Sequence, residues 1–564
     1  MNQDPRIGVF ICECSGEIGG RVRCADLASF AAGLQSVKEV QTHPAYCMPP
    51  GLEEIRKAIA ARELDRVVVA ACSPRTHETL FMKAVSEANL NPYMLEVINI
   101  RDHAAAVAPD EVSATSKACA MLRIGVARTE KLFPLENARV RPEKRVVVIG
   151  AGLVGLSTAK ELLARGFKVI AVEKSAAAGG MLSRYFTMLP GPHKTEDFLN
   201  RLVNDLKKNS DMEFRFGAEV TSLRGGTGAY EVTVRDSGGE QKVSAGAVVV
   251  AVGAEEFSPE GLFGFNGRDV ITQAGLESLL KEGLDPLKES IAMIQCAGGR
   301  SERVPYCSRT CCMTALKNAL WIKEQRPSAE VSIIFRDIYT GGPLLERDIR
   351  TAAEKGIKFY RYEKDDPPIV EREAGESMFP ALKVTVHDTL TNSRKGLACD
   401  LVVLSNPLIP TRDSRKLAEI VGLPVDPHGF LIDHYARVKP SHFVAKGILV
   451  CGNAHFPLSP YEGQVQAYGT ASRIAQLLSR DELEGSAFFS QVDEAKCIAC
   501  GLCESVCAFG AIKVIQDEKG KKAHSSAVNC LGCGTCAAGC PMQAIGMRHF
   551  TDGQISSQIA AAVF

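Results

Sequence analysis

The sequence predicts an α/β protein of several domains that ends in a small α+β metal-holding module. Three observations predict it. Buried-strand patterns alternate with helical ones along most of the chain. A glycine-rich turn sits between a strand and a helix at residue 150. Two cysteine runs, spaced for metal, occupy the last eighty residues. At 564 residues the chain is long enough for several cores. Lys+Arg equals Asp+Glu at 66 each, so no charge excess points to nucleic acid or an anionic membrane. The first residues, Met1 to Arg6, hold no apolar signal core. The longest apolar stretch, Ala245 to Ala254, is too short to span a bilayer. A cytoplasmic protein with no transmembrane segment is expected. Twenty cysteines in a reducing compartment call for metal or redox chemistry rather than disulfides.

Residues 7–12 and 66–72 read as buried strands, followed by helical patterns near 25–36 and 77–89. With a helix at about 112–131 they form an N-terminal α/β domain, 1–135. A linker, Phe133 to Glu143, leads to a second α/β unit that opens at Arg145 and pauses at Gly283-Leu284-Asp285-Pro286. A third unit spans 289–400. The chain is then expected to return to the second unit, so that 140–288 and 401–482 form one domain. Residues 486–551 form the last module. The tail 552–564 carries no motif and is expected to dock or fray.

Arg145-Val-Val-Val-Ile149 runs into Gly150-Ala151-Gly152-Leu153-Val154-Gly155 and a helix, and a second strand ends in Glu173. This is the full dinucleotide-binding context. Gly150 allows the tight turn, Gly152 lets a diphosphate approach the backbone over a helix N-terminus, and Gly155 lets helix and strand pack closely. Glu173 should take the ribose hydroxyls. The continuation Lys174, Ala178-Gly179-Gly180-Met181 resembles the FAD domain of thioredoxin-reductase-like flavoproteins. So do the strand ending at Gly253 and the segment Gly447 to Ala454. On that resemblance Gly452 and Asn453 contact the flavin phosphate and ribityl chain, and a helix beginning near Gly463-Gln464-Val465 points its N-terminus at the flavin. FAD is therefore expected rather than NAD.

Cys497-x2-Cys500-x2-Cys503-x3-Cys507 and Cys530-x2-Cys533-x2-Cys536-x3-Cys540-Pro541 form the doubled run of a two-cluster ferredoxin. Cys497, Cys500, Cys503 and Cys540 should hold one [4Fe–4S] cluster, and Cys530, Cys533, Cys536 and Cys507 the other. Zinc prefers two separated Cys pairs, which this spacing does not offer. Ala508 stands after Cys507 where proline is usual, so the turn there is expected to differ.

In the thioredoxin-reductase-like fold the middle domain binds NAD(P)H through its own glycine loop. Here Ser290 to Ile294 leads instead into Gln295-Cys296-Ala297-Gly298-Gly299-Arg300 and Pro305-Tyr306-Cys307-Ser308-Arg309-Thr310-Cys311-Cys312. Four cysteines within seventeen residues favour a third cubane cluster. A redox-active Cys307–Cys311 disulfide is the alternative, and single core cysteines are the bland one.

Behind a flavin motif and ahead of a doubled ferredoxin run, this pattern resembles the A subunit of heterodisulfide reductase over essentially the whole chain. The resemblance includes Ile11-Cys12-x-Cys14 and Ala71-Cys72-Ser73-Pro74-Arg75-x-His77-Glu78. It implies one component of an oxidoreductase complex. It also implies a flavin-based bifurcating or confurcating hub, in which a two-electron input is divided into one high-potential and one low-potential electron. It implies that Lys317 stands beside the flavin N5, where a cation favours the reduced ring; a solvent-facing helix residue is the plain alternative. Partners would be heterodisulfide reductase B/C-like subunits or carriers linked to hydrogenase or formate dehydrogenase, with a homodimer inside the complex compatible with this. A self-sufficient NAD(P)H-dependent flavoprotein reducing its own ferredoxin module, or a relay without bifurcation, stays open.

Two departures stand out. Many family members carry another ferredoxin module in the FAD domain. Here Phe216 to Val234 reads as a plain hairpin-like region with no cysteine. Members often have a cysteine after an Ile-Arg-Glu-like stretch, and here the stretch reads Ile100-Arg101-Asp102-His103-Ala104. Cys12, Cys14, Cys47 and Cys72 could then hold a fourth cluster or be core cysteines. Cys24, Cys119, Cys399 and Cys451 read as single packing residues.

Overall fold

The computed structural model describes residues 4–188, 194–283, 288–339, 341, 343–372, 382–432, 447–517 and 520–563. The expected pause at 283–286 falls mostly outside them. The chain forms two compact units, Met1–Arg139 with Glu484–Phe564, and Val140–Leu483. The N-terminal domain and the ferredoxin module, expected as separate domains, thus share a unit.

In the first unit four parallel strands lie in the order Val37–His43, Ile7–Cys12, Arg66–Ala71, Leu95–Asn99. Ile7–Cys12 is buried at every position and Arg66–Ala71 at all but the first, as a parallel strand covered on both faces must be. Val9, Ile11 and Val68 face one core with Leu27 and Leu122; Phe10, Val67 and Val69 face the other with Ile55 and Phe81. Helices Cys24–Ala32 and Glu111–Thr129 supply the first core, and Pro49–Arg62 and Pro74–Glu87 the second. Because every strand runs the same way, the carboxyl ends gather on one edge, where such sheets place their sites.

The ferredoxin module pairs Ser490–Val492 with Ile545–Met547 and Ile512–Asp517 with Gly520–Ser525, all antiparallel. The tail is not frayed. Asp552–Val563 is a helix packed on Glu111–Thr129, with Ser557 Oγ donating to Ala127 O at 3.2 Å and Gln554 Nε2 to Lys131 O at 3.1 Å.

In the second unit a five-stranded parallel sheet runs Ile448–Val450, Ala247–Val250, Arg145–Ile149, Lys168–Glu173, Met212–Phe216. The hairpin-like region is a three-stranded meander, Glu219–Gly226, Ala229–Asp236 and Gly239–Ala245. A second parallel sheet runs Val270–Thr272, Leu401–Leu404, Ser290–Ile294, Glu330–Phe335, Lys358–Arg361. This corrects the expected division at 288 and 401. Val270–Thr272 and Leu401–Leu404 belong to the second sheet, and the chain crosses between sheets at the antiparallel pair Ala254–Glu256 and Leu408–Pro410. Leu401–Leu404 is buried throughout. Such an apolar run suits the centre of either sheet, so its own residues do not name its neighbours.

Candidate flavin and iron–sulfur sites

The glycine turn is built as its spacing requires. Gly150 has φ +102°, and a Cβ there would stand 2.5 Å from Ala251 O. A Cβ on Gly155 would stand 2.0 Å from Gly150 O, so only glycine lets the helix Leu153–Leu163 seat against the loop. Gly152 is different. Its backbone is extended, with φ −75°, and a Cβ would meet nothing nearer than Gly180 Cα at 3.9 Å. The space above it is open at a helix N-terminus, which suits an approaching diphosphate. Gly179 N donates to Ala151 O at 2.8 Å, holding Gly180 and Met181 against the turn. Met181 packs with Ala254, Leu408 and Phe430.

Glu173 is buried at the strand end. Its carboxylate accepts from Ala151 N at 2.8 Å and Ser175 N at 2.9 Å, so it braces the turn where a purely ribose-binding role was expected. Lys174 pairs with Asp413 at 3.5 Å. Both line a recess of about 700 Å³ with Gly150, Glu173 and Lys416, on the side where the adenosine half of a dinucleotide would lie.

Gly253 follows Ala247–Val250 with φ +75°. Gly452 N donates to Gln466 Oε1 at 2.6 Å, and Asn453 Oδ1 accepts from Leu458 N at 2.7 Å. The following helix starts three residues earlier than expected, as Pro460–Leu478. Ser459 and Glu462 close a capping box there, Glu462 N donating to Ser459 Oγ and Ser459 N to Glu462 Oε2. Val465 is about half exposed, on the helix's outer side.

The quartet lies between one strand and the start of one helix. Cys296 leaves the strand Ser290–Ile294 with φ +59°, an uncommon backbone for a non-glycine residue. Cys311 and Cys312 open the helix Cys311–Gln325. Burial pushes the Cys296 thiol up to about 11, and the charges of Cys312 and Cys307 push the same way. Cys311 hydrogen-bonds Cys312, which raises Cys311 and lowers Cys312. The charges of Arg336 and Arg300 oppose the rise at Cys296. Arg309, with φ +61°, stacks 5.1 Å from the Tyr339 ring and bonds Glu462, tying the cysteine loop to the helix cap.

Five residues beyond Cys312, Lys317 is buried. Its Nζ donates to Thr187 O at 2.8 Å and to the Glu277 carboxylate, and stands 5.6 Å from the Tyr185 ring. Burial lowers the Lys317 pKa, opposed by the Glu277 charge. Glu277 was not expected from the sequence. A signal was available: on Gln273–Glu282 it sits on the buried face with Gln273, Leu276 and Leu280, where an acid needs a partner.

In the ferredoxin module Cys497, Cys500, Cys503 and Cys540 line one space of about 350 Å³, part of it open to solvent. Cys507, Cys530, Cys533 and Cys536 line another of about 310 Å³. Each space thus takes three thiols from one run and one from the other, as a pair of cubes requires. Ala511 N donates to Cys507 Sγ at 3.2 Å and Ala544 N to Cys540 Sγ at 3.3 Å. Gly510 N donates to Cys507 O, and Gln543 N to Cys540 O, at 3.2 and 3.1 Å. The turn after Cys507 therefore matches the one after Cys540 despite Ala508. Among the described residues no three His, Cys, Asp or Glu side chains close around a point as around one metal ion.

Cys12 ends the strand Ile7–Cys12, Cys72 follows Arg66–Ala71 at the same carboxyl edge, and Cys14 and Cys47 pack in one core with Cys12. Burial raises Cys12 and Cys72, with Cys14 adding to both and Cys47 to Cys12. Tyr46 N donates to Cys12 Sγ at 3.5 Å, and Arg101 Nη1 to Cys14 Sγ at 3.8 Å. Cys24, Cys399 and Cys451 are buried, and Cys119 is half-buried.

Over 98 % of its length the chain is 31 % identical to the iron–sulfur A subunit of the CoB–CoM heterodisulfide reductase of Methanocaldococcus jannaschii, covering 98 % of that protein. The chain belongs to the family of heterodisulfide reductase A subunits. One such A subunit from Methanopyrus kandleri is likewise 31 % identical, over 99 % of this chain and 98 % of that one. The A subunit of the H2:CoB–CoM heterodisulfide,ferredoxin reductase of Methanothermobacter thermautotrophicus is 31 % identical over 100 % and 98 %. The first alignment spans 651 positions, more than the 564 residues here, so that relative carries segments this member of the family lacks. Residues 144–294 match the pyridine nucleotide-disulphide oxidoreductase family and 490–547 the 4Fe–4S dicluster domain. This member of the family is an oxidoreductase with an FAD domain and a dicluster ferredoxin domain. Among the described residues no helix is long and apolar enough to cross a membrane.

Proposed function

We propose that this chain is a cytoplasmic electron relay between partner proteins, built around FAD and three or four [4Fe–4S] clusters, and that it takes no hydride from NAD(P)H. The observation that carries the reading is the loop after Ser290–Ile294. In place of a phosphate-cradling glycine loop it holds Cys296, Cys307, Cys311 and Cys312. Bound FAD would supply the exchange between two-electron and one-electron chemistry. Gly150, Gly152, Gly155, Gly180, Met181, Gly253, Gly452 and Asn453 would hold it, with Glu173 and Lys174 on the adenosine side and Val465 on the capped helix. Lys317 keeps a positive charge in a buried place and favours negative charge developing nearby; Glu277 and Thr187 O fix its direction.

Cys296, Cys307, Cys311 and Cys312 would hold the cluster next to the flavin, and the eight ferredoxin cysteines two more. Cys12, Cys14, Cys47 and Cys72 would hold a fourth. The names of the relatives speak of a heterodisulfide, ferredoxin and H2. We take the partners to be heterodisulfide reductase B/C-like subunits or carriers linked to hydrogenase or formate dehydrogenase. Division of an electron pair between two routes is part of this reading. Phe216 to Val234 holds no cysteine, so one of those routes is missing from this chain or handled by a partner.

Two measurements on anaerobically purified chain test it. Iron should reach about twelve per FAD for three clusters or about sixteen for four, at four per cube; about eight removes the Cys296 cluster. NAD(P)H mixed with the chain should leave the flavin absorbance unbleached, and rapid bleaching would overturn the relay.

A further inference from the structure

We propose that Arg101 sets the reduction potential of the N-terminal cluster, as a clamped cation hydrogen-bonded to the sulfur of Cys14. The inference rests on the reading of Cys12, Cys14, Cys47 and Cys72 as ligands of one cluster. The stretch Ile100-Arg101-Asp102-His103-Ala104 offers no thiol of its own. It contributes a guanidinium instead.

The placement is specific. Arg101 follows the strand Leu95–Asn99 and opens a π-helical turn, Arg101–Ala105. Such turns are rare and gather at functional sites. Arg101 Nη1 points across the sheet's carboxyl edge to Cys14 Sγ, 3.8 Å away and 87 residues earlier in the chain. Cys14 is itself offered by an unusual backbone, with φ +52° at Cys14 and at Ser15. The other side of the guanidinium is held. Arg101 Nε donates to Asp102 Oδ1 at 3.0 Å, and Asp102 is in turn held by Asn99, whose Nδ2 donates to Asp102 Oδ2 at 3.0 Å. Asp102 N donates back to Asn99 Oδ1 at 3.0 Å. Asn99 is buried, so the line from Asn99 through Asp102 and Arg101 to Cys14 is anchored in the fold. A surface ion pair would not need that anchoring.

The physical consequence follows from charge. Reduction adds an electron to a site already ringed by four thiolates, and hydrogen bonds to sulfur and nearby charge are what tune such potentials. A fixed guanidinium stabilises the added negative charge and raises the potential. Asp102 offsets part of this, but its side chain is 44 % exposed against 34 % for Arg101, so water screens the carboxylate more.

The test uses the full chain, purified anaerobically, with EPR-monitored redox titration. Cys72→Ser first identifies the signal. It should remove one spectrum and about four irons; unchanged iron would sink the cluster reading itself and leave nothing for Arg101 to tune. With that signal in hand, Arg101→Gln should keep its iron and lower that midpoint alone. At a fixed potential the reduced-to-oxidised ratio should fall about tenfold, or about 59 mV for one electron. Arg101→Lys, which keeps the charge but not the fork, should fall between. Should Arg101→Gln lose its iron, Arg101→Lys decides by the same midpoint. An unmoved midpoint in an iron-replete variant, or loss of iron in both variants, overturns the proposal.

Discussion

The ammonium of Lys317 is paired with the carboxylate of Glu277 at a point where their side chains are 8 % and 0 % exposed. Glu277 also accepts from Phe186 N at 2.8 Å. Each charge is tolerated because the other is there. Glu277→Gln should therefore destabilise the 140–483 unit by about 3–5 kcal/mol, the cost of stranding a buried charge. Lys317→Met combined with Glu277→Leu should cost less than either change alone. The chain's single tryptophan, Trp321, lies 5.4 Å from Phe186 beside this pair, and its fluorescence on denaturation reads the difference.

Two glycines of one loop should fail in different ways. Gly155→Ala puts a Cβ against Gly150 O, so both the fold of the loop and FAD retention should suffer. Gly152→Ala meets no protein atom closer than 3.9 Å. Its apo stability should stay within about 1 kcal/mol of the parent, as for a change that creates no clash. FAD content after purification should nevertheless drop sharply, because the added methyl stands where the diphosphate approaches. Normal FAD content in Gly152→Ala would contradict the assignment of this loop.

On the proposed pairing each ferredoxin cluster takes its fourth ligand from the other run. Cys540→Ser should therefore remove the cluster of Cys497, Cys500 and Cys503, and Cys507→Ser that of Cys530, Cys533 and Cys536. Each variant should lose up to about four irons and one EPR signal. Loss of the signal belonging to a residue's own run would reverse the pairing.

His549 gives the first unit a pH dependence. Burial lowers its pKa below the ordinary value, with Arg128 and Arg548 adding to this and the Phe133 carbonyl opposing it. The unfolded chain therefore binds a proton before the folded one does as pH falls. Stability is unaffected by this group above about pH 6.5. It declines as pH drops from there towards the folded pKa. His549→Asn, which keeps a donor near Phe133 O, should flatten that part of the curve of Tm against pH. An identical acid-side slope in the variant would exclude His549 as the cause.

Features whose chemistry needs neighbours in the chain are legible in the sequence. Three thiols must grip one cube from a single loop, and a diphosphate must meet a strand, a turn and a helix in succession. Cys497 to Cys540 and Gly150 to Gly155 can therefore be read from spacing. The strands 7–12 and 66–72 and the long helix before the linker are also found within a few residues of their ends, because apolar periodicity reports burial directly. Glu277 is marked in the sequence only by its place on the apolar face of a helix, which says that it needs a partner and not which one. Its meaning appears only when Lys317, forty residues on, is packed over it.

The FAD and ferredoxin motifs, the alternation of strands and helices, and the cysteines where a second nucleotide loop would be can all be read from neighbouring residues. Folding alone sets Leu401–Leu404 in the second sheet, docks the tail helix on Glu111–Thr129, and brings Arg309 to Glu462 and Arg101 to Cys14. The reason is the same in each case. Local chemistry is written in neighbouring residues. Contacts across tens or hundreds of residues are chosen by the packing of whole apolar faces, and one buried apolar strand looks like another until its neighbours are known.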